Sequence, residues 1–121
     1  QDCVLDPWYS LGTADMLDVA FMGLHVAQMT SPGEMRKCFD MVTFDNAKAI
    51  GLEGYGLHVG ATASLVVLDA SDPIEALRLR ASRLHVVAKG KVISTTPSSD
   101  ATLSLDGRSN VVRRRHNVES P

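Results

Sequence analysis

The 121-residue sequence predicts an α/β chain, helical in its first half and β-rich in its second. Three observations carry this prediction. Apolar residues recur at helical spacing from Leu17 to Met29, a Ser31-Pro32 helix start follows, and after Leu52 the texture changes to β-branched runs at 63–69, 84–88 and 91–94. Hydrophobic side chains make up 45% of the chain and charged ones 21%. That suffices for one ordinary core, at a size where domains cluster, roughly 100–150 residues.

Each element has a local reason. Residues 1–12 read as a strand end followed by a loop: Val4 and Leu5 are apolar, Asp6-Pro7-Trp8-Tyr9 interrupts any regular element, and Gly12 permits a sharp turn. A helix is predicted from Thr13 as N-cap, with Asp15 in its first turn, where the helix dipole favours an acid. Leu17, Phe21, Leu24 and Gln28 share one face, but Met16, Val19, Met22, Val26 and Met29 fill much of the rest. The helix is thus apolar nearly all round and is expected to be buried on most sides. Ser31, Pro32 and Glu34 form a capping box with proline at N1, and Met35, Cys38 and Phe39 make the apolar stripe of that second helix. A third helix is expected from about Met41 to Ile50, closed by Gly51 at C′.

Gly54, Gly56 and Gly60 then punctuate a turn-rich stretch. Residues 63–69 read as a buried strand and 73–79 as a helical turn, while 84–88 and 91–94 form a hairpin across Lys89-Gly90. Residues 102–105 are a short strand candidate, and 108–121, poor in apolar residues, are expected to fray. The first helix needs partners on several faces, which residues 1–52 do not supply, so the chain reads as the end of something larger.

Several function classes are excluded or disfavoured. No apolar run approaches the roughly 18 residues of a membrane span. The first residues carry no basic n-region of a secretory signal, so the cytoplasm is the expected location. Two cysteines, Cys3 and Cys38, make neither a disulfide scaffold nor a cysteine-rich zinc module. Residues 1–45 carry seven acids against two bases, a balance of −5, whereas 78–115 carry nine bases against two acids, a balance of +7. Such asymmetry can mark a nucleic-acid surface, but no aromatic residues interleave with the bases, and a basic face docking on an acidic one, or a solvated tail, is the plainer reading. His25, His58, His85 and His116 show no ligand spacing; His25 reads as a packed core histidine, His85 as solvent-facing and Cys38 as a core residue. There is no phosphate loop, no Gly-x-Ser-x-Gly elbow and neither motif of the His-x-Glu, Pro-Cys-x-x-Cys zinc deaminases.

The informative stretch is the N-terminus, where Asp2, Cys3 and Asp6 precede Trp8 and Tyr9. A carboxylate ending a strand, followed by an aromatic-bearing loop, is how α/β barrels build active sites, although on the residues alone both acids read first as turn caps. The run Asp2-Cys3-Val4-Leu5-Asp6-Pro7-Trp8-Tyr9-Ser10-Leu11-Gly12-Thr13-Ala14-Asp15-Met16, continuing into Met22-Gly23-Leu24-His25-Val26, closely resembles the C-terminal third of the bacterial cytosine deaminases of the amidohydrolase superfamily. The resemblance extends over about residues 1–105. Residues 43–52 look like the last barrel-associated helix, Tyr55-Gly56-Leu57 with Gly60 and 63–69 like the return into a small β domain, and Val86-Val87 with Lys89-Gly90-Lys91-Val92-Ile93 like its closing hairpin.

The resemblance implies a fold: the C-terminal part of a metal-dependent (β/α)8 TIM barrel plus strands of a small β-sandwich domain. Residues 1–52 would end the barrel, 53–107 would belong to the β-sandwich, and 108–121 would be a polar basic tail. It also implies a deaminase acting on cytosine or a related pyrimidine, 5-methylcytosine among them, through one divalent metal, zinc or iron. In this family a metal-bound hydroxide attacks the ring carbon bearing the amino group and ammonia leaves. Asp2 matches the aspartate that binds the metal and moves protons to and from the hydrolytic water, Leu5 and Trp8 match pocket-lining positions, and Asp6 is expected to shape the loop.

Two departures matter. The family's His-x-His pair, later histidines and ring-protonating glutamate are missing, and a catalytic metal takes about three protein ligands. The chain is therefore expected to be inactive without the remainder of the barrel as a partner; a homo-oligomer is also expected, and nucleic acid and membrane are not. Cys3 stands where this branch typically has a second aspartate. Either it makes the pocket more apolar, opening room near the pyrimidine C5, or it packs against the barrel with specificity unchanged. Other cyclic amidines (isocytosine, isoguanine, creatinine, a triazine) remain open as substrates. So does a non-enzymatic module whose Arg108 and Arg113-Arg114-Arg115 grip an anionic partner.

Overall fold

The computed structural model describes residues 3–98 and 101–112. Three helices come first. Helix α1 spans Met16–Val26 and is capped by Asp15, whose Oδ1 accepts from Leu17 N at 2.8 Å. The predicted cap, Thr13, lies outside the helix; its hydroxyl donates to Asp18 Oδ2 at 2.6 Å. Both residues are good cappers, and the one followed at once by the apolar stripe prevails. Helix α2, Pro32–Met41, has the expected capping box: Ser31 Oγ accepts from Glu34 N, and the Glu34 carboxylate accepts from Ser31 N. Helix α3, Phe44–Ala49, starts later than expected because α2 continues through Met41 and Thr43 turns its hydroxyl back onto Phe39 O.

Gly51, at φ 66, is the predicted C′ glycine of α3: Leu52 N donates to Ala47 O, and Gly51 N to Lys48 O. Helix α1 ends in the same motif with a non-glycine, Gln28 at φ 53, where Met29 N reaches Leu24 O at 2.9 Å.

Strand β1 (Leu65–Leu68) is followed by helix α4 (Pro73–Leu79), capped by Asp72 and bounded as predicted, then by β2 (Arg83–Ala88) and β3 (Lys91–Thr95). These strands form an antiparallel sheet in the order β1-β2-β3, with Leu65 opposite Val87 and Ala88 opposite Lys91. The β2–β3 hairpin turns on Lys89 and Gly90, both at positive φ, the mirror-image turn that suits strand twist. The turn is tied back by Lys89 N donating to Ser64 Oγ and Gly90 N to Ala63 O. Two short strands, β4 (Ala101–Thr102) and β5 (Val111–Val112), pair antiparallel. The strand expected at 102–105 thus shifts forward, and the stretch expected to fray is ordered as far as Val112 by that pairing; residues 113–121, with the three consecutive arginines, lie outside the described residues.

The core lies where α1, α2 and α4 meet. Leu17, Ala20 and Leu24 of α1, Cys38 of α2 and Leu77 of α4 are buried together, with Met29, Met35, Phe39, Val42 and Leu68 packed around them. Cys38 is the core residue expected of it: its Sγ donates to Ala20 O, and burial raises its pKa. Three expectations of burial fail. Helix α1 buries one stripe, leaving Met22 and Val26 exposed. Strand β1 is half-buried, with Val66 46% and Val67 40% exposed. His25 is exposed on α1; its ring stacks beside Phe21, and its Nδ1 bonds Phe21 O at 2.8 Å. His85 is solvent-facing as predicted.

Candidate active site

Residues 3–14, ahead of α1, form the expected loop and pair with no strand among the described residues; the expected strand end begins at residues 1–2, which lie outside them. The loop's shape comes from Asp6. The carboxylate Oδ1 accepts from Trp8 N and Tyr9 N, each at 2.9 Å, and Asp6 N donates to Tyr9 O at 3.2 Å. This closes a knot around Pro7, which has no N–H of its own to satisfy. The Cys3 thiol lies beside the Asp6 carboxylate. These donors, Tyr9 N foremost, hold the Asp6 carboxyl below the ordinary range, because each stabilises the ionised form. Reciprocally, the Cys3 thiol is raised, chiefly because its protonated form donates to Asp6.

Of the residues singled out from the sequence, Cys3, Leu5 and Trp8 lie together on this loop, while Asp2 falls outside the described residues. Cys3 is half-buried. Leu5 sits at φ 51 with its side chain 79% exposed, and Trp8 is 90% exposed. An apolar residue and a tryptophan so presented contribute nothing to the chain's own core; they form a surface available to something placed against it. Among the described residues no three His, Cys, Asp or Glu side chains group as a metal site. A catalytic metal takes about three protein ligands, so the described residues alone do not fit one.

Two charged residues at the loop's far end form a pair with no signal in the sequence. Asp15, besides capping α1, makes an ion pair with Arg83 at the start of β2. Both line an open cleft of about 680 Å³ between the helices and the sheet, whose other walls include Met16, Phe39, Phe44, Tyr55 and Val86. Phe44 and Tyr55 meet there edge to face with centroids 5.7 Å apart. None of Cys3, Leu5 and Trp8 lines this cleft.

Residues 1–94 match the amidohydrolase family. The chain belongs to that family. It is 31% identical over 94 residues to N-isopropylammelide isopropyl amidohydrolase of Pseudomonas sp. (strain ADP), covering 77% of this chain and 23% of that protein. Among solved structures it is similar to 5-methylcytosine deaminase of Klebsiella pneumoniae liganded with phosphonocytosine, at 38% identity and TM-score 0.76, over 82% of this chain and 24% of the other. N-isopropylammelide isopropylaminohydrolase of Burkholderia multivorans is also similar, at 32% identity and TM-score 0.73, over 76% of this chain and 24% of that one. The chain spans about a quarter of the length of these relatives. The family expected from the run Asp2 to Met16 is thus the family found, and the chain is an α/β segment of it with antiparallel strands. The family is metal-dependent. No helix among the described residues is long and apolar enough to cross a membrane.

Proposed function

We propose that this chain is the closing segment of a metal-dependent (β/α)8 hydrolase that removes the exocyclic amino group of a pyrimidine, cytosine or 5-methylcytosine. Water adds at the ring carbon bearing the amino group, the C–N bond breaks, and ammonia leaves a carbonyl behind. Asp2 is assigned as one carboxylate ligand of a divalent metal, zinc or iron, and as the base that takes the proton of the attacking water. The metal, when bound, lowers the pKa of that water. Cys3, Leu5 and Trp8 are assigned to the wall against which the flat ring lies. In this reading residues 1–52 end the barrel, 53–107 belong to the small β domain, and the remaining ligands come from the rest of the barrel, in an enzyme that assembles as a homo-oligomer.

The observation that carries the reading is the loop itself: Asp6 closes it, Cys3 lies beside that carboxylate, and Leu5 and Trp8 stand exposed, within residues 1–94 that match the family. Its likeness to a 5-methylcytosine deaminase supports the C5-methylated base as substrate. A thiol in place of a second carboxylate leaves the wall uncharged, which suits a methyl group. The test is kcat/KM for cytosine and for 5-methylcytosine in the enzyme containing this segment with its barrel, before and after Cys3→Asp. The expected result is a preference for 5-methylcytosine that shifts toward cytosine by about ten-fold or more on substitution. An unmoved ratio means that Cys3 only packs. Asp2→Asn should lower kcat by about 100-fold or more for either base. A second reading, a triazine amine as substrate, is favoured by the likeness to the N-isopropylammelide hydrolases. Turnover of N-isopropylammelide with neither pyrimidine deaminated would establish it.

A further inference from the structure

The loop that carries Cys3, Leu5 and Trp8 is knotted within itself, and its hold on the rest of the chain is concentrated at one end. The hydrogen bonds described for residues 3–14 are made within the loop or onto Asp15 and Asp18. Thr13 Oγ1 donates to Asp18 Oδ2 and accepts from Asp15 N at 3.3 Å. Just before Asp15 the backbone is strained: Ala14 sits at φ 58, the left-handed region that a residue with a Cβ avoids. Such a residue stays there only when its neighbours are held: Thr13 is tied to Asp18, and Asp15 is held more firmly still.

Asp15 is held from two sides by one carboxylate oxygen. Its Oδ1 accepts from Leu17 N, which fixes it to α1, and pairs with the Arg83 guanidinium, which fixes it to the sheet. The pair is only partly solvated: the Asp15 side chain is 19% exposed and that of Arg83 40%. Arg83 begins β2, opposite Leu68 where the β1–β2 register shifts. A cap alone would let α1 and the loop swing together against the sheet, and the guanidinium removes that freedom.

We propose that Arg83, on the sheet, is a positioning residue for the active-site loop, acting through Asp15 to fix where Leu5 and Trp8 stand. The catalytic part of this inference rests on the deaminase reading above; the mechanical part does not. Its consequence is that a residue outside the barrel's end sets substrate affinity without touching substrate.

Three substitutions test it: Arg83→Met, which keeps the stem and removes the charge; Arg83→Lys; and Asp15→Asn, which keeps a capping oxygen and removes the ion pair. In the enzyme containing the complete barrel, Arg83→Met and Asp15→Asn should each raise KM by about ten-fold with kcat nearly unchanged. The double variant should be no worse than either single one, and Arg83→Lys should recover most of the loss. In the purified chain of 121 residues, where Trp8 is the single tryptophan, the fluorescence anisotropy of Trp8 should fall in both charge-removing variants while helix content by circular dichroism holds. Unchanged KM together with unchanged Trp8 anisotropy overturns the proposal. So does a joint fall of kcat and thermal midpoint that lysine does not rescue, since that marks a merely structural pair. A wild-type enzyme that deaminates neither pyrimidine nor triazine sinks the deaminase reading alone, and the Trp8 anisotropy then decides whether Arg83 holds the loop.

Discussion

The Asp6 carboxylate keeps its charge further into acid than an ordinary aspartate, because the N–H of Tyr9, the thiol of Cys3 and the N–H of Trp8 all favour the ionised form. A carboxyl whose pKa is lowered in the fold contributes order that is present above the ordinary value and lost as pH falls through the lowered one. Trp8 sits on the loop that Asp6 closes, so its fluorescence should hold steady down to about pH 4 and change below it. Asp6→Asn should abolish that transition, since the amide does not titrate, while still offering an oxygen to the two N–H groups. Asp6→Ala should show the open-loop signal at every pH. A transition surviving in Asp6→Asn would mean that another group governs the loop.

Among the elements, those with complete local signals are legible in the sequence. Ser31-Pro32 with Glu34 specifies α2, Asp72-Pro73 specifies α4, and Lys89-Gly90 turns the hairpin, because each signal lies within a few residues of what it controls. Ser31→Ala should therefore cost about 1 kcal/mol in chemical denaturation. The αL residue closing α1 is not legible, because glutamine is not the usual choice there; Gln28→Gly should raise stability by about 0.5–1 kcal/mol. Burial is legible only in part. The stripe of α1 is visible in sequence, but whether Met22 or Val66 is covered depends on what lies across from it, and that is not written in the segment. The site divides the same way. Asp2, Cys3, Leu5 and Trp8 are proposed through the family resemblance alone, since acids beside a turn look like caps, and Asp6 does act as one. The Asp15–Arg83 pair joins residues far apart in the chain and carries no local signal.

At the scale of the molecule, the core is small and centred on Leu77, the one large side chain among the described residues with no exposed surface. Leu77→Ala should cost about 3 kcal/mol, read as a drop in denaturation midpoint, because the three helices around it are too constrained to close over the void. Much apolar surface stays outside that core: Val26 is 80% exposed and Ile93 62%. The purified chain should accordingly self-associate in light scattering, and Val26→Lys with Ile93→Lys should reduce it. Helix α4 lies in the connection from β1 to β2, yet delivers Leu77 into the cluster made by α1 and α2. The strand-to-strand link thus runs through the shared centre of the helices. Opening either half drags α4 out, and amides of α1, α4 and β2 should exchange with deuterium at one common free energy, as a single cooperative unit. The loop at residues 3–14 sends no side chain into that centre, so its opening should cost less than that of the core and be set by the tie from Asp15 to Arg83, and it is to this margin that the chemistry is assigned.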